Sequence, residues 1–420
     1  MTAPPIHHAG ERVLCIVALY AAAFVAAGFA FDSPDRILSG LVEIVVSRDT
    51  LTTDYMGVGG IGAALVNAGL LTLMSCLVYW RAGATMNGSA VAALFLVLGF
   101  GLFGKNILNV WFIVAGVLLY AKFKRERFAT HINTAFFGAA LAPIFSEVAF
   151  STYLSRPVSL PLAAATCLVI GFILAPVAAR LFKAHEGYSL YNMGFTAGII
   201  GALVVALYRS YGFVPEPVFI WTTGNNLPLA ALLLTSFVSL AAVGFFLDPR
   251  ALAGVGQIMK QTGQAPSDFI GTCGLGPTLV SMSLTGVIST GYVLLVRGDL
   301  NGPTLGAILS VVGFAAAGKH SRNIVPIMVG VFAGSLFKPW AAEDPSMVLA
   351  ALFGTTLAPI AGRFGWHWGV IAGFIHSSAA QSVGDVHGGL VLYNNGFAAG
   401  LVAAVLTPVI VAVRRTDKVD

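Results

Sequence analysis

Charge is what this sequence has least of. Only 10% of its 420 residues are Asp, Glu, Lys or Arg, while 57% are hydrophobic; a soluble domain carries about 25% charge. No polar stretch is long enough to form a soluble domain. Cysteine is scarce as well. Cys15, Cys76, Cys167 and Cys273 each lie in an apolar segment, at spacings that fit no metal motif and that suit small buried apolar residues. No His, Cys, Asp or Glu cluster has ligand spacing, and neither a Ser-His-Asp order nor a phosphate loop is present. No metal, cofactor or catalytic residue is therefore expected, and the chain is not read as an enzyme. The net charge of +5 is no nucleic-acid signal, because basic residues in such a chain mark cytoplasmic loops.

What the sequence does have is long apolar runs from end to end, for instance 13–31, 58–80 and 390–413. Each is near the roughly 20 residues that cross a bilayer, and the alternation of a membrane β-barrel is absent. The expected fold class is an all-α, multi-pass integral membrane protein. Its first run ends in "AAGFAFD", which by itself suits a signal peptide, but "AVGFFLD" at 242–248 repeats it. A cleaved leader has no reason to recur inside the chain, so 13–31 is expected to be a retained span.

That recurrence belongs to a colinear series. Asp54 matches Asp268, Gly60 matches Gly274, Asn87-Gly88 matches Asn301-Gly302, Gly104-Lys105 matches Gly318-Lys319, and Asn109 matches Asn323, all 214 residues apart. "FGAALAPI" from Phe137 matches "FGTTLAPI" from Phe353 at 216, and "HEGYSLYNMGFTAG" from His185 matches "HGGLVLYNNGFAAG" from His387 at 202. The change in offset places a surplus in the first half around 145–161. Two repeats follow, 12–210 and 228–413, joined by a linker at 211–227. Repeated halves of this kind mark channels and secondary transporters.

Charge gives the relation between the halves. Five spans are expected in the first, near 13–31, 57–80, 131–150, 160–180 and 190–208. Between the second and third, 88–121 is broken at Gly104-Lys105-Asn106 into pieces of about 22–24 Å at 1.5 Å per residue, short for a hydrocarbon core of about 30 Å, and so read as broken or re-entrant helices. An odd number of spans starts the second half from the opposite face. One face then holds 14 basic residues, including Arg81, the "KFKRER" run from Lys122, Arg363, Arg415 and Lys418; the other holds six, including Arg48 and Arg297. That split obeys the positive-inside rule. Two inverted repeats of about five spans each, with both termini cytoplasmic in a cell inner (plasma) membrane, are expected.

Candidate site residues come from the repeated polar positions. A charge at membrane depth costs roughly 2.5–3.5 kcal/mol even on the lenient insertion scale, so Lys105 and Lys319 are candidates for the conduction path; the alternative is that they snorkel to the surface from helix ends. Asn109 and Asn323 follow at i+4, the spacing of one helical face. Asn87 and Asn301 suit helix N-caps at re-entrant helices near the pseudo-two-fold axis, and Asp54 and Asp268 suit N-caps too. Asn192 and Asn394 in "LYNxGF" cap a helix or line a cavity. Thr355 and Thr356, beside Pro359, offer hydroxyls where the first half has Ala139 and Ala140, so this pair is one-sided. Glu147 corresponds to Arg363, and His185 to His387 near expected loops.

The order "MNG", a short apolar run, a second run, then "LAPI" resembles the urea transporter family, which carries an Asn-Gly element and a Thr-x-Pro-Phe element once per half. Asn87 lies 56 residues before Pro143, and Asn301 lies 58 before Pro359. The second element departs from the family, as Ala-Leu-Ala-Pro-Ile and Thr-Leu-Ala-Pro-Ile. The chain as a whole also looks like an uncharacterised prokaryotic polytopic membrane family. The resemblance implies ten spans in two inverted halves, two re-entrant helices and a homo-oligomer, a trimer. The expected function is a channel or facilitator for a small polar solute or anion, with the lipid bilayer and the solute as partners and no nucleic acid. The alternatives are an ion-coupled secondary transporter and a membrane-embedded enzyme.

Overall fold

The computed structural model describes residues 6–216 and 218–416. Lys418 and the side chain of Arg415, both counted on the basic face, lie outside the described residues. In the first half the chain forms α1 (Ile6–Phe31), α2 (Pro34–Val46), α3 (Tyr55–Gly59), α4 (Ile61–Ala82), α5 (Gly88–Phe100), α6 (Trp111–Lys124), α7 (Phe128–Gly138), α8 (Pro143–Phe150), α9 (Arg156–His185) and α10 (Asn192–Ser210). In the second it forms α11 (Asn226–Leu247), α12 (Ala251–Ile258), α13 (Phe269–Cys273), α14 (Leu275–Leu295), α15 (Gly302–Phe314), α16 (Ser321–Phe337), α17 (Pro345–Gly354), α18 (Ala358–Phe364), α19 (Trp366–Ser382) and α20 (Asn394–Thr416). No strand occurs among the described residues; two isolated bridges join Thr53 to Ile220 and Asp54 to Phe103.

The protein is an all-helical integral membrane protein. Among the described residues, eight helices are long and apolar enough to span, or nine if 128–141 and 143–150, bent by 44°, form one span. Pro143 sits at that bend, where it begins α8 after a 3₁₀ turn; a proline ring cannot sit inside the ladder without removing a hydrogen bond. Helix α9 begins at Arg156 and α19 at Trp366, which places the first-half surplus in the connection after α8 and the first turns of α9.

The run 88–121 breaks as expected into α5 and α6, with turns across the Gly-Lys pair. Helices α5 and α15 are apolar all round and buried along their whole length or nearly so, as helices without a polar face must be. They pack against each other at the centre of the molecule, with Gly99 against Gly306 and Gly313 against Ala92. Helix α2 was not foreseen. Asp35, Arg36, Ser39 and Glu43 interrupt its hydropathy, yet Ile37, Gly40 and Ile44 form one buried stripe.

Contacts between the halves come in exchanged pairs. Leu51 N donates to Gly389 O at 2.9 Å, and Ala265 N to Gly187 O at 3.1 Å. Leu392 N donates to Ala140 O at 3.1 Å, and Leu190 N to Thr356 O at 3.0 Å. Swapping partners in this way is the pattern of a self-complementary interface. The linker breaks the pattern. It packs beside the start of α3, where Val218 O accepts from the hydroxyls of Thr50 at 2.8 Å and Thr53 at 3.0 Å.

Candidate functional site

The starts of α5 and α15 are held from both halves. Asn87 Oδ1 accepts from Ala90 N at 3.0 Å, and Asn301 Oδ1 from Thr304 N at 3.2 Å, so both are N-caps. The next amide goes elsewhere. Gly88 N donates to Asp268 Oδ1 at 2.9 Å, and Gly302 N donates to Asp54 Oδ1 at 3.1 Å. Each Asp also caps its own short helix, Asp54 at Met56 N and Asp268 at Ile270 N. A Cβ on Gly88 would stand 2.0 Å from Ala316 O, and one on Gly302 2.4 Å from Leu102 O, so no larger residue fits either place. The amides at each helix start are thus taken up by the opposite half's carboxylate and by the helix's own Asn cap. Asn87 and Asn301 stand at the outer ends of α5 and α15, beside the tip of the other half, and not at the central crossing of these helices.

The tips explain the repeated Gly-Lys pair. Gly104 has φ +74° and Gly318 φ +136°, a region that L side chains rarely enter. A Cβ on Gly104 would lie 2.4 Å from the Leu392 side chain, and one on Gly318 3.0 Å from Leu190. The turn brings Lys105 N to Phe100 O and Lys319 N to Phe314 O, both at 3.0 Å. The two ammonium groups then stand 5.2 Å from the Phe100 ring centroid and 5.3 Å from that of Phe314, cation–π distances. Both side chains are fully buried, so neither snorkels to the surface. Among the described residues no carboxylate lies within 4 Å of either.

Residues 105–110 are not helical, so Asn109 does not share a helix face with Lys105. Asn109 closes the tip instead: its Oδ1 accepts from Asn106 N at 2.9 Å and its Nδ2 donates to Gly104 O at 3.1 Å. Asn323 does the same with His320 N at 2.8 Å and Gly318 O at 2.9 Å. The polar rung expected from i+4 spacing is a loop staple in both halves. Asn192 and Asn394 likewise serve local structure. Their Oδ1 atoms accept from His185 and His387 Nε2 at 3.0 Å, and their Nδ2 atoms donate to Ala178 O and Ala380 O.

The tyrosines before those asparagines pack on the tip rings, and one of them, Tyr191, meets a lysine. Tyr191 and Tyr393 lie with ring centroids 5.6 Å apart, and each packs on the other half's tip ring, Tyr191 on Phe314 at 4.6 Å and Tyr393 on Phe100 at 5.3 Å. Lys319 Nζ donates to Tyr191 Oη at 2.7 Å, and Tyr191 Oη pairs with Ser310 Oγ at 2.6 Å. The first half does not copy this. Lys105 Nζ donates to Phe136 O at 3.1 Å, and Tyr393 Oη has no hydrogen-bond partner among the described residues. The one-sided hydroxyls give the reason. Thr355 Oγ1 donates to Leu352 O at 2.5 Å, the carbonyl that corresponds to Phe136 O; Ala139 supplies no hydroxyl, so the first-half carbonyl is left for Lys105. Ser310 corresponds to Leu96, so Tyr393 has no hydroxyl beside it. Thr356 Oγ1 accepts from Tyr191 N at 2.8 Å and fixes that backbone.

A second polar cluster occupies the first tip alone. Asp49, fully buried, accepts from Asn109 Nδ2 at 3.2 Å, Ser47 Oγ at 3.3 Å and Asn106 Nδ2 at 3.5 Å, while Asn109 also donates to Ser146 Oγ at 3.0 Å. Burial pushes the Asp49 carboxyl up to about 7, against the pull of its donors Ser146, Tyr55, Ser47 and Asn109. The matching positions in the second half are Gly263, His320, Gly362 and Phe269. Glu147 approaches Arg48 at 3.9 Å. Sequence reasoning missed Asp49, Asn106, Tyr191 and Tyr393. Both tyrosines lie in the repeated "LYNxGF", and that repetition was the available signal.

A family model described as "Protein of unknown function (DUF1576)" matches residues 33–210 and 247–412. No curated protein and no solved structure matches the chain.

Proposed function

We propose, for a chain that belongs to the DUF1576 family of proteins of unknown function, a role in membrane transport, as a channel or facilitator for a small polar solute or anion that passes where two inverted halves meet. One observation carries this reading. Two buried ammonium groups, with no carboxylate within 4 Å of either among the described residues, stand at matching tips, Lys105 over Phe100 of its own half and Lys319 over Phe314 and over Tyr191 of the opposite half. An uncompensated charge in so apolar a place is costly and marks a pathway by default, and broken backbone at membrane depth is tolerated where it lines a path or lies buried in protein. A positive field there disfavours cations.

The exchanged contacts and the charge split support inverted halves, with both termini cytoplasmic and an inner-membrane location. The Asn-Gly elements and short paired helices support a urea-transporter-like scaffold, and with it a trimer. No chemical step is assigned. A second reading, ion-coupled transport, is favoured by Asp49, a buried carboxyl on the same tip as Lys105. Flux of radiolabelled formate, nitrate and urea into proteoliposomes, with and without a proton or sodium gradient, tests both. Gradient-independent uptake supports a facilitator, gradient-dependent uptake supports coupling, and no uptake of any probe rejects both. Labelling of single cysteines at Arg81 and Arg297 tests the topology, which fails if both react from one side.

A further inference from the structure

We propose that the first tip holds a small monovalent oxyanion, of the carboxylate or nitrate class, between the Lys105 ammonium and the Tyr393 hydroxyl. The proposal rests on the transport reading and names the solute class and the half that binds it.

The two groups share one wall. The Phe100 ring lies 5.2 Å from Lys105 Nζ and 5.3 Å from the Tyr393 ring, and Gly104, which precedes Lys105, packs on Leu392, which precedes Tyr393. Their hydrogen-bonding capacity is unspent. An ammonium has three N–H donors, and Lys105 gives one to Phe136 O. Tyr393 Oη, in a side chain only 2% exposed, gives none. Buried hydroxyls nearly always have a partner, and an unpartnered one is costly. The second half shows what satisfaction looks like at the same place: ammonium to phenol to hydroxyl, through Lys319, Tyr191 and Ser310. In that chain every hydroxyl has a side-chain partner.

The chemistry selects the ligand. Lys105 and Tyr393 together present donors and one positive charge, so the pair suits an acceptor with one negative charge and at least two oxygens. A dianion would leave a net buried charge. Urea brings four N–H donors, for which the Phe136 carbonyl is the one acceptor identified beside Lys105. Aromatic walls suit a small flat ion.

Equilibrium binding to the purified full-length chain tests this, by calorimetry at constant ionic strength with sodium formate, sodium nitrate, sodium sulfate and urea. Formate and nitrate are expected to bind, and sulfate and urea to bind at least tenfold more weakly. Tyr393→Phe keeps the shape and removes the hydroxyl; a loss of tenfold or more in formate affinity is expected. Ala139→Thr with Leu96→Ser gives the first half the hydroxyls of the second and should abolish binding without removing a charged group. Since the double variant changes two buried positions, Tyr393→Phe, checked for an unchanged melting temperature, carries the decision. Wild-type formate affinity in Tyr393→Phe, or equal binding of sulfate or urea, overturns the proposal. Uptake that persists while formate does not bind, or binds without regard to Tyr393, rejects this site and leaves the transport reading standing. Tyr393-dependent binding with no uptake of any probe rejects transport and keeps the site.

Discussion

The two tips share one frame and differ in what surrounds it. Each has a left-handed glycine, a buried lysine on a phenylalanine ring, and an asparagine that staples the turn. The second tip is hydrogen-bonded through Tyr191 and Ser310, whereas the first leaves Tyr393 unpartnered and gathers Asp49, Asn106, Asn109 and Ser146 behind it. Part of the cause is topological. A chain with two halves has one linker, and it can cover only one of two matching surfaces. Thr222 of the linker donates through N and Oγ1 to Asp54 Oδ2, and its carbonyl accepts from Asn301 Nδ2 at 3.0 Å. Asp268 and Asn87 have no such cover. The two halves therefore share a frame, and the linker with a few differences in sequence makes them inequivalent.

The largest expected break in this comparison is at the lysines. Replacing both Lys105 and Lys319 by Met should abolish anion uptake or admit cations in protein that still folds; unchanged rate and selectivity in proteoliposomes would leave the lysines a purely structural role. The single variants sharpen the contrast. Lys105→Met should lose most anion uptake, because the proposed anion site is at the first tip, where Tyr393 Oη has no hydrogen-bond partner among the described residues.

The aspartate caps come next. Asp54 accepts from Met56, Gly302 and twice from Thr222, whereas Asp268 accepts from Ile270 and Gly88. With hydrogen bonds to charged groups worth about 1.5–3 kcal/mol each, Asp54→Ala should cost about 2–3 kcal/mol. Asp268→Ala, which loses two such bonds where Asp54→Ala loses four, should cost less, about 1–2 kcal/mol. Chemical denaturation in detergent gives the ranking, and equal losses would show that the linker contributes nothing. The asparagine caps should follow the same order within about 0.5–2 kcal/mol. Asn301→Ala should exceed Asn87→Ala, since Asn301 alone bonds the linker and pairs reciprocally with Thr304.

A further contrast is the pH dependence of the first tip. The folded-state carboxyl of Asp49 sits at about 7, above the roughly 3.9 of an unfolded chain. Between those values the folded state binds more protons than the unfolded one, so stability is greatest below the lower value and declines as pH rises toward the upper one. Asp49→Asn should remove this decline. Melting temperatures of the two proteins should diverge between about pH 4 and 7 by a few degrees, and parallel curves would mean that Asp49 is charged throughout.

Membrane insertion, the matching of the halves in sequence, the caps at Asn87, Asn301, Asp54 and Asp268, and the break at each Gly-Lys pair were all legible in the sequence. Each depends on local chemistry: apolar run length, the hydrogen-bonding needs of a helix start, and the backbone that only glycine adopts. The partners of the lysines were not legible. Tyr191 is 128 residues from Lys319, and nothing along the chain says that these side chains meet. Helical spacing also misled at Asn109 and Asn323, because tertiary packing of Gly104 on Leu392 and of Gly318 on Leu190 turns the backbone where i+4 assumes it continues. Asp49 looked like an ordinary loop residue until the fold surrounded it with donors from 47, 55, 106, 109 and 146. Local patterns determined which segments cross the membrane and where they start and stop; which polar groups are left without partners was decided only when the two halves and their one linker packed together, because hydrogen-bond satisfaction is a property of the assembled interior.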